Sequence, residues 1–77
     1  MVQEIVHMKL TSIAPNARMV CTREDLDELC RSIRVEGQRE PIVLWFSHGA
    51  FRIVDGEKRW RACKKLKMLR IKAVFQE

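Results

Sequence analysis

No apolar run in this chain approaches the roughly 20 residues that a membrane-crossing helix needs. The longest, Ile42-Val43-Leu44-Trp45-Phe46, has the length of a single strand. Met1-Val2-Gln3-Glu4 does not open a signal peptide. Cysteine is scarce and unpatterned: Cys21, Cys30 and Cys63 are odd in number, widely spaced and without a CxxC pair. That argues against a disulfide scaffold or a zinc knot and points to reduced thiols in a cytoplasmic protein. His7 and His48 are isolated, with no metal-ligand spacing, so no metal site is expected. Repeats, linkers and low-complexity tails are also lacking.

What is present is a globular composition, 47% apolar and 32% charged. Seventy-seven residues make one domain, 1–77, near the size at which a single hydrophobic core barely suffices. The net charge of +5 is unevenly placed. Residues 1–54 hold seven basic and seven acidic side chains, whereas residues 55–77 hold eight basic and three acidic. The whole excess therefore lies in the last 23 residues. Such a patch attracts nucleic acid or a nucleotide, or merely keeps a small protein soluble.

Along the chain, Glu4 to Leu10 reads as a first strand, and Ser12 to Arg18 as a connection turned by Pro15 and Asn16. Leu26, Leu29, Cys30 and Ile33 recur at helical spacing, which predicts a helix over 23–36 with Thr22 as its N-cap and Gly37 as its stop. Pro41 opens the apolar strand 42–46, partly buried on both faces. Ser47-His48-Gly49 turns it back into an antiparallel partner, Phe51 to Val54. Asp55 is expected to cap a second helix running to about Leu66. Arg70 to Phe75 then closes the chain as a strand, with Ile71, Ala73 and Phe75 on one face. The order β-α-β-β-α-β predicts an α+β domain, one sheet with two helices packed on it. The pattern leaves strand order open.

One stretch stands out: Asp55-Gly56-Glu57-Lys58-Arg59-Trp60-Arg61, between a strand and a basic helix. Helix dipoles favour acids at the N-terminus, so Lys58, Arg59 and Arg61 there work against the local field. Their natural counterpart is an anion that first-turn amides also bind, above all phosphate. Gly56 would let the backbone approach it. Arg59 is the stronger candidate because its planar fork grips a phosphate in two places. Arg61 belongs to the same site or projects away into a diffuse patch. Glu57 is either a metal or catalytic ligand or a favourable dipole partner. Lys64, Lys65, Lys67, Arg70 and Lys72 form a stripe suited to a nucleic-acid backbone, or simply a solvated face. Trp45 and Trp60 flank core positions, which favours packing over base stacking.

Three groups of residues carry a resemblance: Ile13-Ala14-Pro15-Asn16 followed by Arg18; Leu26, Leu29, Ser32-Ile33, Gly37 and Pro41-Ile42-Val43; and Gly56-Glu57-Lys58-Arg59-Trp60-Arg61-Ala62. Together they resemble the N-terminal domain of ParB-family chromosome and plasmid partition proteins, whose superfamily includes sulfiredoxin. The likeness runs from about Ile5 to Phe75. In that family a Gly-Glu-Arg-Arg box binds the triphosphate of CTP at a helix N-terminus. The resemblance therefore implies that Gly56, Lys58 and Arg59 meet phosphate oxygens, with Asn16 and Arg18 approaching the nucleotide from the loop after the first strand. A nucleotide (CTP, ATP or ADP) with magnesium is the implied cofactor.

Departures from the pattern carry information too. Before the proline of its second strand the family usually has Gln, whereas this chain has Glu40. A carboxylate there would repel a phosphate, or accept a bond from a base or sugar. Partition proteins continue into a helix carrying Glu-Asn-x-x-Arg, whose acid and amide hold magnesium, and then into DNA-reading and dimerisation domains. None of these falls within the 77 residues. Weak triphosphate binding and no site-specific partition DNA reading are the expectation. The sulfiredoxin branch has its catalytic cysteine in a Gly-Cys-His-Arg sequence, where this chain has Glu57, and Cys63 falls two turns into the helix as an inert core residue.

The leading reading is a non-catalytic phosphate-binding domain for nucleic acid or nucleotide, related to DNA partition or regulation. A second is a phosphotransferase or nuclease using Glu40 and Glu57, since phosphoryl-transfer sites gather carboxylates around magnesium. The third is an interaction module, a homodimer for instance, presenting Trp45, Phe46, Phe75 and an exposed final strand edge.

Overall fold

A computed structural model describes residues 4–14 and 23–76. The elements are β1 (Val6–Lys9), a single 3-10 turn (Leu10–Ser12), β2 (Ile13–Ala14), α1 (Arg23–Glu36), β3 (Ile42–Ser47), β4 (Ala50–Asp55), α2 (Glu57–Lys65) and β5 (Arg70–Phe75). The α+β class and both helices are as the sequence implies, but the first strand is shorter and is followed by a turn and a second strand. The sequence pattern gives β2 as part of the connection. It has only two residues and pairs in parallel with β4, Ile13 opposite Phe51, so no periodicity announces it. The expected cap Thr22 lies outside the described residues.

The five strands form one mixed sheet in the order β1-β5-β3-β4-β2. β5 runs antiparallel to β1 and parallel to β3. The final strand is therefore interior, so the exposed edge expected of it under the interaction reading is not present. β3 and β4 form the expected hairpin. His48 and Gly49, with φ of 51° and 77°, make a two-residue turn of the kind whose twist suits paired strands.

Strand alternation decides the layers. Ile42, Leu44, Ile53, Ile71 and Ala73 are buried on one face, in one cluster with Cys30 and Ile33 of α1 and Trp60, Ala62 and Cys63 of α2. Both helices thus cover one side of the sheet. Trp60 packs as expected, and its indole N–H donates to the Leu10 carbonyl at 3.4 Å. Trp45 does not: it is 47% exposed on the opposite face, paired with Arg52, and Phe46 is 62% exposed at the hairpin end. The strand 42–46 is thus buried at its start and open at its end. Gly37, at φ 77°, stops α1 as predicted, its N–H bonding to the Ile33 carbonyl at 2.7 Å. Among the described residues no helix is long and apolar enough to cross a membrane.

Gln38 is one of two buried polar side chains among the described residues. Its amide donates to the Lys72 carbonyl at 2.9 Å and its oxygen accepts the Lys72 N–H at 2.7 Å. It thereby completes the β5 ladder where β3 has not yet begun, and it ties the loop after α1 to the sheet.

Cys63 is fully buried, and burial pushes its thiol above the ordinary range, with neighbouring Cys30 adding to the effect. The folded chain then holds this proton more tightly than the unfolded chain. Its contribution to stability is complete below the ordinary thiol range and is lost as pH rises through it. Urea unfolding should show wild type losing more stability between about pH 7.5 and pH 10.5 than Cys63→Ala loses. An equal loss would show that the thiol is not protected.

Candidate phosphate-binding site

The sequence Asp55-Gly56-Glu57 makes the β4–α2 junction, and glycine carries its geometry. Gly56 is the N-cap of α2 at φ 103°, with no side-chain cap. Asp55 ends β4, exposed, and the cap expected of it is not formed. The cap position falls on Gly56, and the aspartate stands one residue before it, still in β4. The glycine is also required by packing. A Cβ there would lie 2.6 Å from Ile42 Cγ2 and 2.9 Å from its Cβ, and Ile42 is fully buried. Gly56 thus admits β3, a role in the core that the sequence reading had not given it.

Lys58, Arg59 and the start of α2 stand over two adjoining clefts. The larger, about 550 Å³, is lined by Leu29, Ser32, Gly37, Arg39, Glu40 and Arg59 among others. The smaller, about 240 Å³, is lined by Leu29, Asp55, Gly56, Glu57, Lys58 and Arg59. Arg59 borders both, its side chain only 28% exposed. Its Nη2 donates to Glu40 Oε2 at 2.8 Å. Lys58 faces Asp25 of α1 at 3.8 Å, with both side chains about half exposed, so this pair contributes little to stability.

Glu57 and Arg61 pair with each other. The Glu57 side chain is 3% exposed and accepts from Arg61 Nε at 3.2 Å, one turn on. A buried carboxylate at a helix N-terminus gains from the dipole, and its arginine offsets the cost of desolvation. Arg61 is thereby tied to Glu57, and it does not line either of the two clefts that Arg59 borders. The two candidate acids, Glu40 and Glu57, are held by different arginines. Among the described residues no three His, Cys, Asp or Glu side chains gather as a metal site would require.

The basic stripe does not form a uniform face. Lys64 stands over the Trp60 ring at 5.0 Å. Lys65 contacts Asp27 at 2.6 Å, which holds that carboxyl below its usual range. Lys72 Nζ donates to the Gln38 carbonyl at 3.3 Å. Lys67, at φ 60°, and Arg70 are exposed. Asn16 and Arg18 lie outside the described residues. Nothing in the sequence pattern marks Leu29, Ser32 and Arg39 as cleft residues. Their convergence depends on α1 packing beside α2, which local spacing does not encode.

Gly56→Ala should destabilise the fold by about 2–5 kcal/mol, from backbone strain together with overpacking against Ile42. Urea unfolding followed by circular dichroism measures it. A loss below about 1 kcal/mol would mean that β3 yields easily at this contact.

Comparison with known proteins shows the family and the fold. The family profile described as the ParB N-terminal domain matches residues 1–77. The nucleoid occlusion protein of Geobacillus kaustophilus is 38% identical over 78 residues, covering 96% of this chain and 28% of that protein. The chain thus spans little more than a quarter of that relative. The structure of a C-terminally truncated chromosome-partitioning protein ParB from Caulobacter crescentus, complexed with CTP-γ-S, superposes with a TM-score of 0.85 at 29% identity. It covers 96% of this chain and 44% of that one. Sulfiredoxin from Arabidopsis thaliana gives 0.85 at 25% identity, with 96% and 85% covered. A mutant free serine kinase in complex with AMP gives 0.82 at 26%, with 97% and 32% covered. The fold is that of the ParB and sulfiredoxin proteins, and the chain belongs to the ParB N-terminal domain family.

Proposed function

We propose that this domain binds the phosphates of a nucleotide without catalysing a reaction, within a protein of the chromosome-partition and nucleoid-occlusion kind. The observation that carries the reading is Arg59. It is largely shielded, borders both clefts, and lies in the first turn of α2 beside Lys58. Cations there oppose the helix dipole and lower stability unless an anion is recruited. First-turn amides of any helix lack intrahelical acceptors, which adds donors suited to phosphate oxygens.

A localised nucleotide site is favoured over an extended nucleic-acid face because Lys58 and Arg59 converge with the start of α2 on adjoining clefts, whereas the stripe lysines line neither of them. The CTP-γ-S complex of the Caulobacter relative and the AMP complex of the kinase support the same class of ligand. The separate pairing of Glu40 and Glu57 supports a binding role over phosphoryl transfer, which needs acids acting on one centre.

Calorimetric titration of CTP, ATP and ADP, with and without magnesium, tests this reading. Arg59→Ala should weaken binding by about 10- to 100-fold, the worth of a charge-assisted hydrogen bond. Its melting temperature should stay close to wild type, since its partner Glu40 is 74% exposed. Equal nucleotide affinity in the two proteins would remove Arg59 from the site. Tight duplex-DNA binding falling steeply with salt, with no nucleotide binding, would favour the nucleic-acid backbone instead.

A further inference from the structure

We infer that Glu40 is the site's resident counter-anion: a tethered carboxylate that occupies the Arg59 guanidinium and that an incoming phosphate must displace. The inference rests on the phosphate-binding reading of Arg59 and adds what determines its affinity.

Exposure is divided unequally across the 2.8 Å pair. Arg59 is 28% exposed and Glu40 74%, so the carboxylate lies on the solvent side of the guanidinium. Glu40 also lines the larger cleft that Arg59 borders. A phosphate approaching Arg59 through that cleft meets a like charge already seated there.

The competitor is held in place. The Gln38 amide, 7% exposed, donates to the backbone carbonyl of Glu40 at 2.9 Å as well as to Lys72. Gln38 is in turn fixed to β5 through the Lys72 N–H. The backbone that bears Glu40 is therefore tied to the interior of the sheet, while its side chain stays free to turn into water. An intramolecular competitor acts at a high effective concentration that dilution cannot lower. Nothing in the fold needs Glu40 to stay on Arg59, because an exposed ion pair shifts an equilibrium by about five-fold or less. The displaced carboxylate is simply hydrated.

A ligand is thus selected by the number of its contacts. An anion that touches Arg59 alone exchanges one carboxylate for one phosphate and gains little. A chain of phosphates reaching past Arg59 into the smaller cleft also meets Lys58 and the α2 amides, which Glu40 does not occupy. Neutralising Glu40 removes both the competition and the repulsion while leaving every donor in place.

The test is calorimetric titration of pyrophosphate and of CTP into wild type, Glu40→Gln and Glu40→Ala, at one ionic strength. Both variants should bind each ligand about two- to five-fold more tightly than wild type, with unchanged melting temperature. Two variants guard against an amide that still holds Arg59. Unchanged or weaker binding in both variants, with measurable binding to wild type, would overturn the role of Glu40 and leave the phosphate site standing. No binding of either ligand to any of the three proteins up to about 10 mM would overturn both readings.

Discussion

The close approach of Gly56 to Ile42 is the contact on which the rest of the structure depends. It sets the distance between the start of α2 and β3, and it works only because the residue at the junction has no side chain and tolerates a left-handed backbone. From that point α2 lays Trp60, Ala62 and Cys63 into the core, where Cys30 of α1 meets the Ala62 carbonyl through its thiol. The same turn presents Lys58 and Arg59 beside the clefts. In a domain this small, a single close packing point positions both the core and the candidate site.

Gln38 supplies the complementary constraint on the opposite wall. A side-chain amide has one donor group and one acceptor, as a peptide unit does, so it can stand in for a strand residue beside Lys72. The loop between α1 and β3 is thereby registered against the sheet without being a strand. Satisfying these groups in the interior also makes the arrangement costly to rearrange. Glu40 and Arg59, 19 residues apart in sequence, meet because these two junctions are each fixed to the sheet.

Much of this was legible in the sequence, and the exceptions have physical reasons. The extent of α1, the hairpin and the final strand followed from apolar spacing and from glycines placed at stops and turns. β2 was not legible, because two residues pairing in parallel with a distant strand leave no local pattern. The cap assigned to Asp55 followed propensity, but the cap position falls on Gly56 and Asp55 remains the last residue of β4. Gln38 reads as an ordinary polar loop residue, and its burial depends on where β3 begins relative to β5. For the site, the basic first turn of α2 identified the position. The partners of Glu40, Glu57 and Arg61 are matters of tertiary distance and charge balance, which residue type alone does not settle.

The division of labour at the β4–α2 junction has a consequence for how variation in this chain would be observed. Gly56 packs against Ile42 and the Glu57 side chain is buried with Arg61, whereas Lys58 and Arg59 bring exposed or partly exposed charge to the clefts. Four consecutive residues of one motif therefore report on two different properties. In a pooled screen, substitutions at the first two positions would register as lost abundance, since misfolded chains are cleared. Those at the next two would leave abundance intact and register only where ligand occupancy is read. A conservation profile drawn across the motif would merge these two pressures into one apparent signal.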